Sequence, residues 1–185
     1  MNSLFKLDIN EKNPICNKYY DCNKNCIHPT PGKVFLKHTN NNLIKNQINL
    51  TTPPYTQTFN QPIASVTIDT ACFCKPKLLI NFVGILTTTT KSFLVLTNTF
   101  TLFKTCKDSK ILQPVATYNF NVINTVASFP NSQTIKFDYS PCDDPCEDCC
   151  SYILEFTRVS SIFAGSSGSI TINGAFSVLG VDSSS

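Results

Sequence analysis

The sequence predicts an all-β protein: a jelly-roll-like β-sandwich of about eight strands that follows a flexible N-terminal arm. Stretches rich in β-branched and aromatic residues recur along the chain, and in several of them apolar and polar residues alternate, as in a strand with one buried face. Helical signals are nearly absent, because β-branched residues, Asn and Pro stand where Ala, Glu and Leu would be expected. Strands of this number are typical of a sandwich, and a jelly roll fits them best.

The first 32 residues form a polar segment with little periodicity. The segment contains three cysteines, Cys16, Cys22 and Cys26. It ends in a Pro-x-Pro-Gly sequence at 29–32, which is incompatible with a continuing helix and indicates a hinge. We therefore divide the chain into an N-terminal connector arm, residues 1–32, and a β-sandwich body, residues 33–185.

The body shows a succession of strand signals. They cover residues 34–37, 63–69, 77–86, 92–104, 115–122, 134–139, 152–159 and 169–179. An Asn-rich patch at 40–49 and the Pro53-Pro54 pair separate the first two strands, and we interpret this region as edge strand and loop. Thr-rich strands of low charge, such as 86–104, are typical of weakly protected sheet edges, unless the strand lies in the middle of its own sheet. We therefore expect sheet edges to pair with other copies.

Composition excludes several classes of partner. Charged residues make up 15% of the chain and the formal net charge is +3, which is too weak a field to concentrate nucleic acid or an anionic membrane. The longest apolar run, 78–86, is far shorter than a spanning helix. Residues 1–14 lack the apolar stretch of a signal peptide. We expect no nucleic acid, no membrane insertion and no classical export.

Ten cysteines stand in a chain of 185 residues, which is long enough to bury a self-sufficient core. Disulfides are therefore not needed to replace a missing core, and we expect some of them to hold other contacts. The arm has an odd number of cysteines, so full oxidation requires at least one partner outside the arm. An arm of this length can extend roughly 100 Å, whereas the body is about 40 Å across, so a bond to a neighbouring subunit is geometrically easy.

The densest cysteine cluster lies at 142–150, directly before a predicted strand. Cys149 and Cys150 are adjacent, so on a strand their side chains point to opposite faces. The inward cysteine can bond Cys72, Cys74 or Cys106, and the outward one is available to another subunit. The candidates for crosslinks between subunits are therefore Cys16, Cys22, Cys26, Cys149 and Cys150. The other disulfide candidates are Cys72, Cys74, Cys106, Cys142 and Cys146.

Metal binding is the alternative for this cluster. Zinc would use four thiolates, Cys142, Cys146, Cys149 and one of Cys72 or Cys74. The carboxylates between the cysteines oppose zinc, because they add negative charge to a site that already carries thiolates. Those same carboxylates are hard oxygen ligands for calcium, although no EF-hand spacing is present. They are Asp143, Asp144, Glu147 and Asp148.

Signatures of catalysis are missing. His28 lies in the arm and His38 ends the first predicted strand, and neither context indicates a base beside a nucleophile. The Gly-Ser-Ser-Gly sequence at 165–168 indicates a β-turn and not a phosphate-binding loop. We therefore predict no enzyme activity and no cofactor.

Four segments carry a resemblance to a known family: VTIDTAC at 66–72, KPKLLINF at 75–82, FTLFK at 100–104 with Cys106, and CCSY at 149–152. Through them, residues 60–180 resemble an uncharacterised Cys-rich domain family of spore-forming clostridia. That family is similar in plan to bacterial endospore appendage (Ena-type) subunits. The resemblance implies a jelly-roll body with a flexible connector that crosslinks to other subunits in a fibre.

These observations predict a structural subunit that self-assembles into a disulfide-crosslinked fibre or surface layer, an endospore appendage by the resemblance. The expected partner is a homo-polymer formed through the N-terminal arm and the sheet edges. A protein made in the mother cell and left on the spore surface needs no signal peptide, because lysis of the mother cell exposes its thiols to an oxidising exterior. The alternatives are a small Cys-ligated zinc-binding module and a carbohydrate- or receptor-binding sandwich.

Overall fold

The computed structural model confirms the all-β prediction. It describes residues 34–40, 43–69, 76–91, 94–106, 109–124, 129–141, 149–161 and 167–182. These residues form nine strands: β1 (Val34–Asn40), β2 (Ile44–Asn49), β3 (Thr56–Asp69), β4 (Pro76–Thr90), β5 (Leu94–Cys106), β6 (Ser109–Asn124), β7 (Asn131–Tyr139), β8 (Cys149–Ser161) and β9 (Ser167–Asp182). The predicted arm, residues 1–32, lies outside the described residues. None of the described residues belongs to a helix that could cross a bilayer.

Two antiparallel sheets face each other. Sheet A has the order β1-β9-β4-β7, with β2 also paired to β9, and sheet B has the order β3-β8-β5-β6. Both β1 and β2 run along the same edge of β9, from the Val34–Val181 pair down to the Asn49–Ser167 pair. The register between them slips by one residue, so β1 and β2 act as one edge strand with a bulge. Counted in this way, eight strands occur in the order of a jelly roll, as predicted.

Alternation along the strands builds the core between the sheets. In β4 the even positions Ile80, Phe82 and Leu86 are fully buried, and the odd positions face away from the core. The Phe82 ring stacks on Phe137 at 5.1 Å and meets Phe176 edge-on at 5.7 Å. Each such side chain contributes about 1.5–3 kcal/mol through burial.

Two facing glycines make room for this aromatic cluster. Gly84 on β4 and Gly174 on β9 are direct cross-strand partners. A Cβ added at Gly174 would lie 2.5 Å from Phe82 Cζ, and one added at Gly84 would lie 2.8 Å from Phe82 Cε1. The Phe82 ring therefore occupies the space that two side chains would take.

Tyr118 on β6 joins the two sheets at one open side of the sandwich. Its ring stacks on Phe137 with centroids 4.1 Å apart, and its hydroxyl donates a 3.1 Å hydrogen bond to the backbone carbonyl of Asp138. Burial raises the pKa of Tyr118 above its ordinary value of 10, with smaller contributions from the charges of Tyr139 and Asp138. The folded state therefore favours the neutral phenol.

We expect this phenol to make stability depend on alkaline pH. Because the folded pKa of Tyr118 is above the unfolded value, its contribution is complete below about pH 10 and is lost as the pH rises through the folded pKa. Tyr118→Phe should remove this part of the alkaline loss. Urea unfolding between pH 8 and pH 11 measures the difference. Equal slopes for wild type and Tyr118→Phe would refute this assignment.

Candidate assembly surface

Seven strand termini meet at one end of the sandwich, and all but Asp182 carry or adjoin a cysteine-bearing segment; we call it the cysteine end. Its termini are Val34, Asp69, Pro76, Cys106, Tyr139, Cys149 and Asp182. In sheet B, Asp69 pairs with Cys149. In sheet A, Pro76 pairs with Asp182. The ammonium group of Lys37 donates a 2.9 Å bond to the Thr67 carbonyl and so joins the two sheets near this end.

A disulfide closes sheet B at this end. Cys106 at the end of β5 and Cys150 at the start of β8 are direct cross-strand partners, with Cα atoms 4.1 Å apart, and their sulfurs are bonded. From the sequence, the inward-facing member of the Cys149–Cys150 pair could bond Cys72, Cys74 or Cys106. In the structure this member is Cys150, and its partner is Cys106. Cys150 is buried against the core. The expectation that Cys150 is available for a crosslink between subunits is therefore wrong, because its sulfur is already bonded within the chain.

The remaining cysteine candidates fall outside the described residues, or, for Cys149, outside the described side chains. They are Cys16, Cys22, Cys26, Cys72, Cys74, Cys142, Cys146 and Cys149. Every segment that carries them is nevertheless attached to the cysteine end: 1–33 precedes Val34, 70–75 joins Asp69 to Pro76, and 142–148 leads into Cys149. The connections at the opposite end contain no cysteine in the sequence; they are 50–55, 91–93, 125–130 and 162–166. All ten cysteines are therefore either in strands that end at the cysteine end or in segments of the sequence that adjoin it.

We expect the Cys106–Cys150 bond to stabilise the body and not the assembly. The bonded residues are 44 positions apart, and closing a loop of that length restricts the unfolded chain by about 4 kcal/mol in the chain-entropy account. The double variant Cys106→Ala, Cys150→Ala should lower the free energy of unfolding by about 3 kcal/mol in oxidising buffer. Urea unfolding measures this loss, and the gap to wild type should close in strong reductant. An equal midpoint under oxidising conditions would contradict the assignment.

The outer face of sheet B carries polar cross-strand pairs, in which hydroxyl groups bond one another or amides, beside the exposed Ile123 of β6. The bonds are Thr97 to Asn121 (2.9 Å), Thr99 to Asn119 (2.9 Å), Thr101 with Thr157 (3.1 Å) and Thr67 with Ser151 (2.8 Å). These pairs are the polar cross-strand contacts that stabilise a sheet. The face satisfies its own hydrogen bonds and needs no partner to do so.

The outer face of sheet A is different, and we call its exposed aliphatic residues the apolar face. The residues are Val34, Leu36, Leu79, Val83, Ile85 and Leu179, each 39–54% exposed. Three of them, Leu36, Leu179 and Leu79, are direct cross-strand partners, and adjoining exposed apolar side chains of this kind make the face a candidate interaction surface. The strand pattern did not predict this face, although residues 78–86 are apolar at both alternating positions, which is more than a half-buried strand requires.

The sheet edges are more protected than the sequence predicted. The Gln57 side chain from β3 accepts a 2.9 Å bond from the Asn49 backbone N–H and donates a 3.2 Å bond to the Gln47 carbonyl. Its amide therefore takes the place that a neighbouring strand would take along β2. This occupies groups that an added strand would need.

The opposite side of the sandwich, where the edge strands β6 and β7 lie, is protected in the same way. On β7, the side chains of Asn131 and Gln133 donate to the backbone carbonyls of Ile123 and Asn121 on edge strand β6, at 2.7 and 3.5 Å. The Tyr118 hydroxyl bonds an edge carbonyl of β7 in return. A strand of another copy that paired with β6 or β7 would have to replace these hydrogen bonds. Such pairing therefore gains less free energy than pairing with an unprotected edge, which the sequence predicted.

Among the described residues, no three His, Cys, Asp or Glu side chains lie close enough together to bind a metal ion. His38 is exposed on edge strand β1. His28 and the predicted zinc and calcium ligands of 142–148 lie outside the described ranges. Both metal hypotheses therefore stay predictions.

The topology defines a jelly-roll β-sandwich domain, and the cysteine-bearing segments of its sequence all adjoin one end of the sandwich. The chain belongs to the family described as domain of unknown function DUF4489, which matches residues 42–180. This confirms the uncharacterised-domain part of the resemblance. No curated protein matches the chain.

Several solved structures of infectious bursal disease virus are similar to the chain. The Gt strain structure has 14% identity and a TM-score of 0.44, covering 81% of this chain and 33% of that chain. The VP2 subviral particle has 13% identity and a TM-score of 0.43, with the same coverage of 81% and 33%. The chain thus spans about a third of the length of these viral chains. Likeness at this level carries no functional information.

Proposed function

We propose that the protein is a structural subunit that self-assembles into a disulfide-crosslinked fibre or surface layer. The observation that carries the proposal is the cysteine end: the arm and every cysteine-bearing loop attach there, and the connections at the opposite end carry none. Only the Cys106–Cys150 bond among the described residues serves the body itself. Cysteines concentrated at one end suit a covalent joint between successive subunits.

A joint of this kind favours an open assembly. When one end of a subunit contacts a different surface of the next, the contact is heterologous, and repetition of it gives a filament unless the rotation closes a ring. The arm, residues 1–32, leads into Val34 at the cysteine end. A segment of this length can span roughly 100 Å when extended. It is therefore our proposed connector, with Cys16, Cys22 and Cys26 as its crosslinking residues.

Sheet edges contribute to the joint along the lengths that side chains do not already occupy. The resemblance to a Cys-rich domain family of spore-forming clostridia, which is similar in plan to endospore appendage subunits, supports the finer proposal, an endospore appendage on the spore surface. In that setting the subunits are made in the mother cell and become oxidised after its lysis. The proposed role needs neither a catalytic residue nor a cofactor.

Mass spectrometry of non-reduced peptides from the purified, oxidised protein tests the proposal. The subunits are assembled from a mixture of light and heavy isotope-labelled chains. Peptides that contain Cys16, Cys22 or Cys26 should then be found disulfide-bonded to cysteine peptides of the other label. Such mixed-label pairs form only between chains, so they distinguish these bonds from internal ones. Three free arm thiols would overturn the connector. Stoichiometric zinc with free thiols at Cys142, Cys146 and Cys149 would favour the zinc-binding module instead.

A further inference from the structure

The apolar face of sheet A lies where the arm enters the body. Val34, which is 54% exposed on this face, is the first described residue, and the arm precedes it directly. Two residues further along β1, Leu36 begins a row of cross-strand partners that continues through Leu179 on β9 to Leu79 on β4. The arm is therefore attached beside the exposed apolar surface, and it is the first segment to test as its cover.

The aliphatic side chains of β4 and β9 form two groups along this face. One is the Leu79–Leu179 pair, and the other begins at the Val83–Ala175 pair, four residues further along both strands. Four residues of a strand span about 13 Å. An extended segment that fits this face therefore needs apolar side chains about 13 Å apart.

A narrow polar row separates the two groups. On β4 and β9 it consists of Asn81 and Ser177, which are cross-strand partners. The Asn81 amide donates to the Asp138 carboxylate on β7, so covering the row does not leave this amide without a partner. His38 continues the row on edge strand β1, where it is exposed and can stay in water beside a segment that lies over β9 and β4.

The largely polar arm contains one short stretch with a matching alternation. Three apolar residues, Phe5, Leu7 and Ile9, alternate there with Lys6, Asp8 and Asn10. In an extended segment the three apolar side chains point to one side, and the first and third are about 13 Å apart. This is the spacing of the two aliphatic groups. Lys6 and Asp8 would point away from the sheet, so docking of this stretch would bury no charge.

The chain between this stretch and β1 has a suitable length. Residues 10–33 are about 24 residues, and a chain of that length has a root-mean-square end-to-end distance of about 25–30 Å. The Val83–Ala175 pair lies roughly 20 Å from Val34, measured along and across the sheet. A tether whose average length matches the span gives an effective concentration in the millimolar range. A second copy would need a comparable concentration to compete for the face.

We propose that residues 5–9 of the arm dock on the apolar face of their own body. Phe5 and Ile9 would cover the two aliphatic groups, and Leu7 would lie between them. The part of the arm that contains its three cysteines would then be a loop that begins and ends on the body. The contact is separate from the proposed connector role, because it needs no disulfide.

Trypsin cleavage after Lys6 measures docking, because that bond lies inside the docked segment. The background is the full chain with its three arm cysteines changed to Ser, so that the arm cannot crosslink. In it, Leu79→Ser with Leu179→Ser should speed cleavage after Lys6 by at least about 10-fold, because proteolysis follows the undocked fraction. Cleavage after Lys18, which lies outside the docked segment, is the internal reference and should not change.

Two further variants complete the cycle. The matched control is Ile111→Ser on β6, an aliphatic residue that is 74% exposed outside this face, and it should leave both cleavage rates unchanged. Phe5→Ser with Ile9→Ser should speed cleavage after Lys6 as much as the face variant does. Combining the arm and face variants should add little further, since both remove the same contact. Circular dichroism checks that each variant is folded.

Photo-crosslinking shows which body the arm covers. The photoreactive analogue p-benzoylphenylalanine in place of Phe5 should crosslink to peptides of β4 and β9, and in a mixture of light and heavy isotope-labelled chains both peptides should carry the same label. Protection of Lys6 should persist over about 100-fold dilution, because a tethered contact does not depend on protein concentration.

Two results would overturn the proposal. One is cleavage after Lys6 that the face variant does not speed. The other is protection that is lost on dilution, with crosslinks between different labels, which would assign the face to a second copy. Peptide mapping of the arm disulfides in the wild-type protein tests the connector separately and is unaffected by either result.

Discussion

Replacing Gly174 by Ala is expected to destabilise the body by about 3 kcal/mol or more, at or above the upper end of overpacking effects. The new Cβ would lie 2.5 Å from Phe82 Cζ, 2.7 Å from the Val83 carbonyl oxygen and 2.8 Å from the Gly84 Cα. Two of these atoms are backbone, and the ring cannot move freely, because Phe137 and Phe176 contact it. Such a loss is a large part of the 5–15 kcal/mol of a typical domain. Urea unfolding measures it.

The matched control for this substitution is Ala175→Ser, one residue further along β9 and on the opposite face of the sheet. It should change the midpoint little, since a small, partly exposed side chain is exchanged for another. Combining Gly174→Ala with Phe82→Leu should recover part of the loss, because the shorter side chain leaves space for the added methyl group. An unchanged midpoint for Gly174→Ala, or no coupling with position 82, would show that the ring does not occupy the space above the glycine pair.

The second large effect concerns the durability of the assembly. Changing Cys16, Cys22 and Cys26 together to Ser should leave the body folded but make the oxidised polymer separate into monomers in hot detergent without reductant. Non-covalent contacts form without any disulfide, whereas only covalent bonds resist dissociation under denaturing conditions. Deleting residues 1–32 should have a greater effect, because it also removes the non-covalent contacts of the arm. Non-reducing gel electrophoresis after boiling measures the distribution.

The Cys106→Ala, Cys150→Ala pair is the matched control for this experiment. It removes a disulfide of the body, so it should lower stability and leave the detergent-resistant polymer in place. If the triple Ser variant instead gave resistant polymer indistinguishable from wild type, the durability would come from the cysteines of the body or from sheet contacts, and the connector role of the arm would be wrong.

The fold could be predicted because its signal is local. Alternation of apolar and polar residues predicted strands with one buried face, and the number of strands predicted the jelly roll. The β2 strand was harder to define, since its Asn and Gln residues have low strand propensity. It forms because Ile44, Ile48 and the following Leu50 are buried against the core.

The details of the candidate assembly surface could not be predicted, because they arise from contacts between residues that are far apart in the sequence. Gln57 protects β2 only because stacking of the sheets brings β3 beside it. The partner of Cys150 is set by the β5–β8 register, so spacing alone could not choose among three cysteines. The apolar face combines residues of β1, β4 and β9, which lie far apart in the chain. The apolar run at 78–86 could not show which residues of other strands lie beside it.

Electron microscopy of the purified, oxidised full-length protein tests the central claim most directly. A structural subunit joined through its cysteine end should give filaments or extended layers with a regular repeat. The repeat should persist after boiling in detergent and disappear when reductant is added as well. Separate globular particles under oxidising conditions, at any concentration up to about 100 μM, would contradict the proposal that this protein is an assembly subunit.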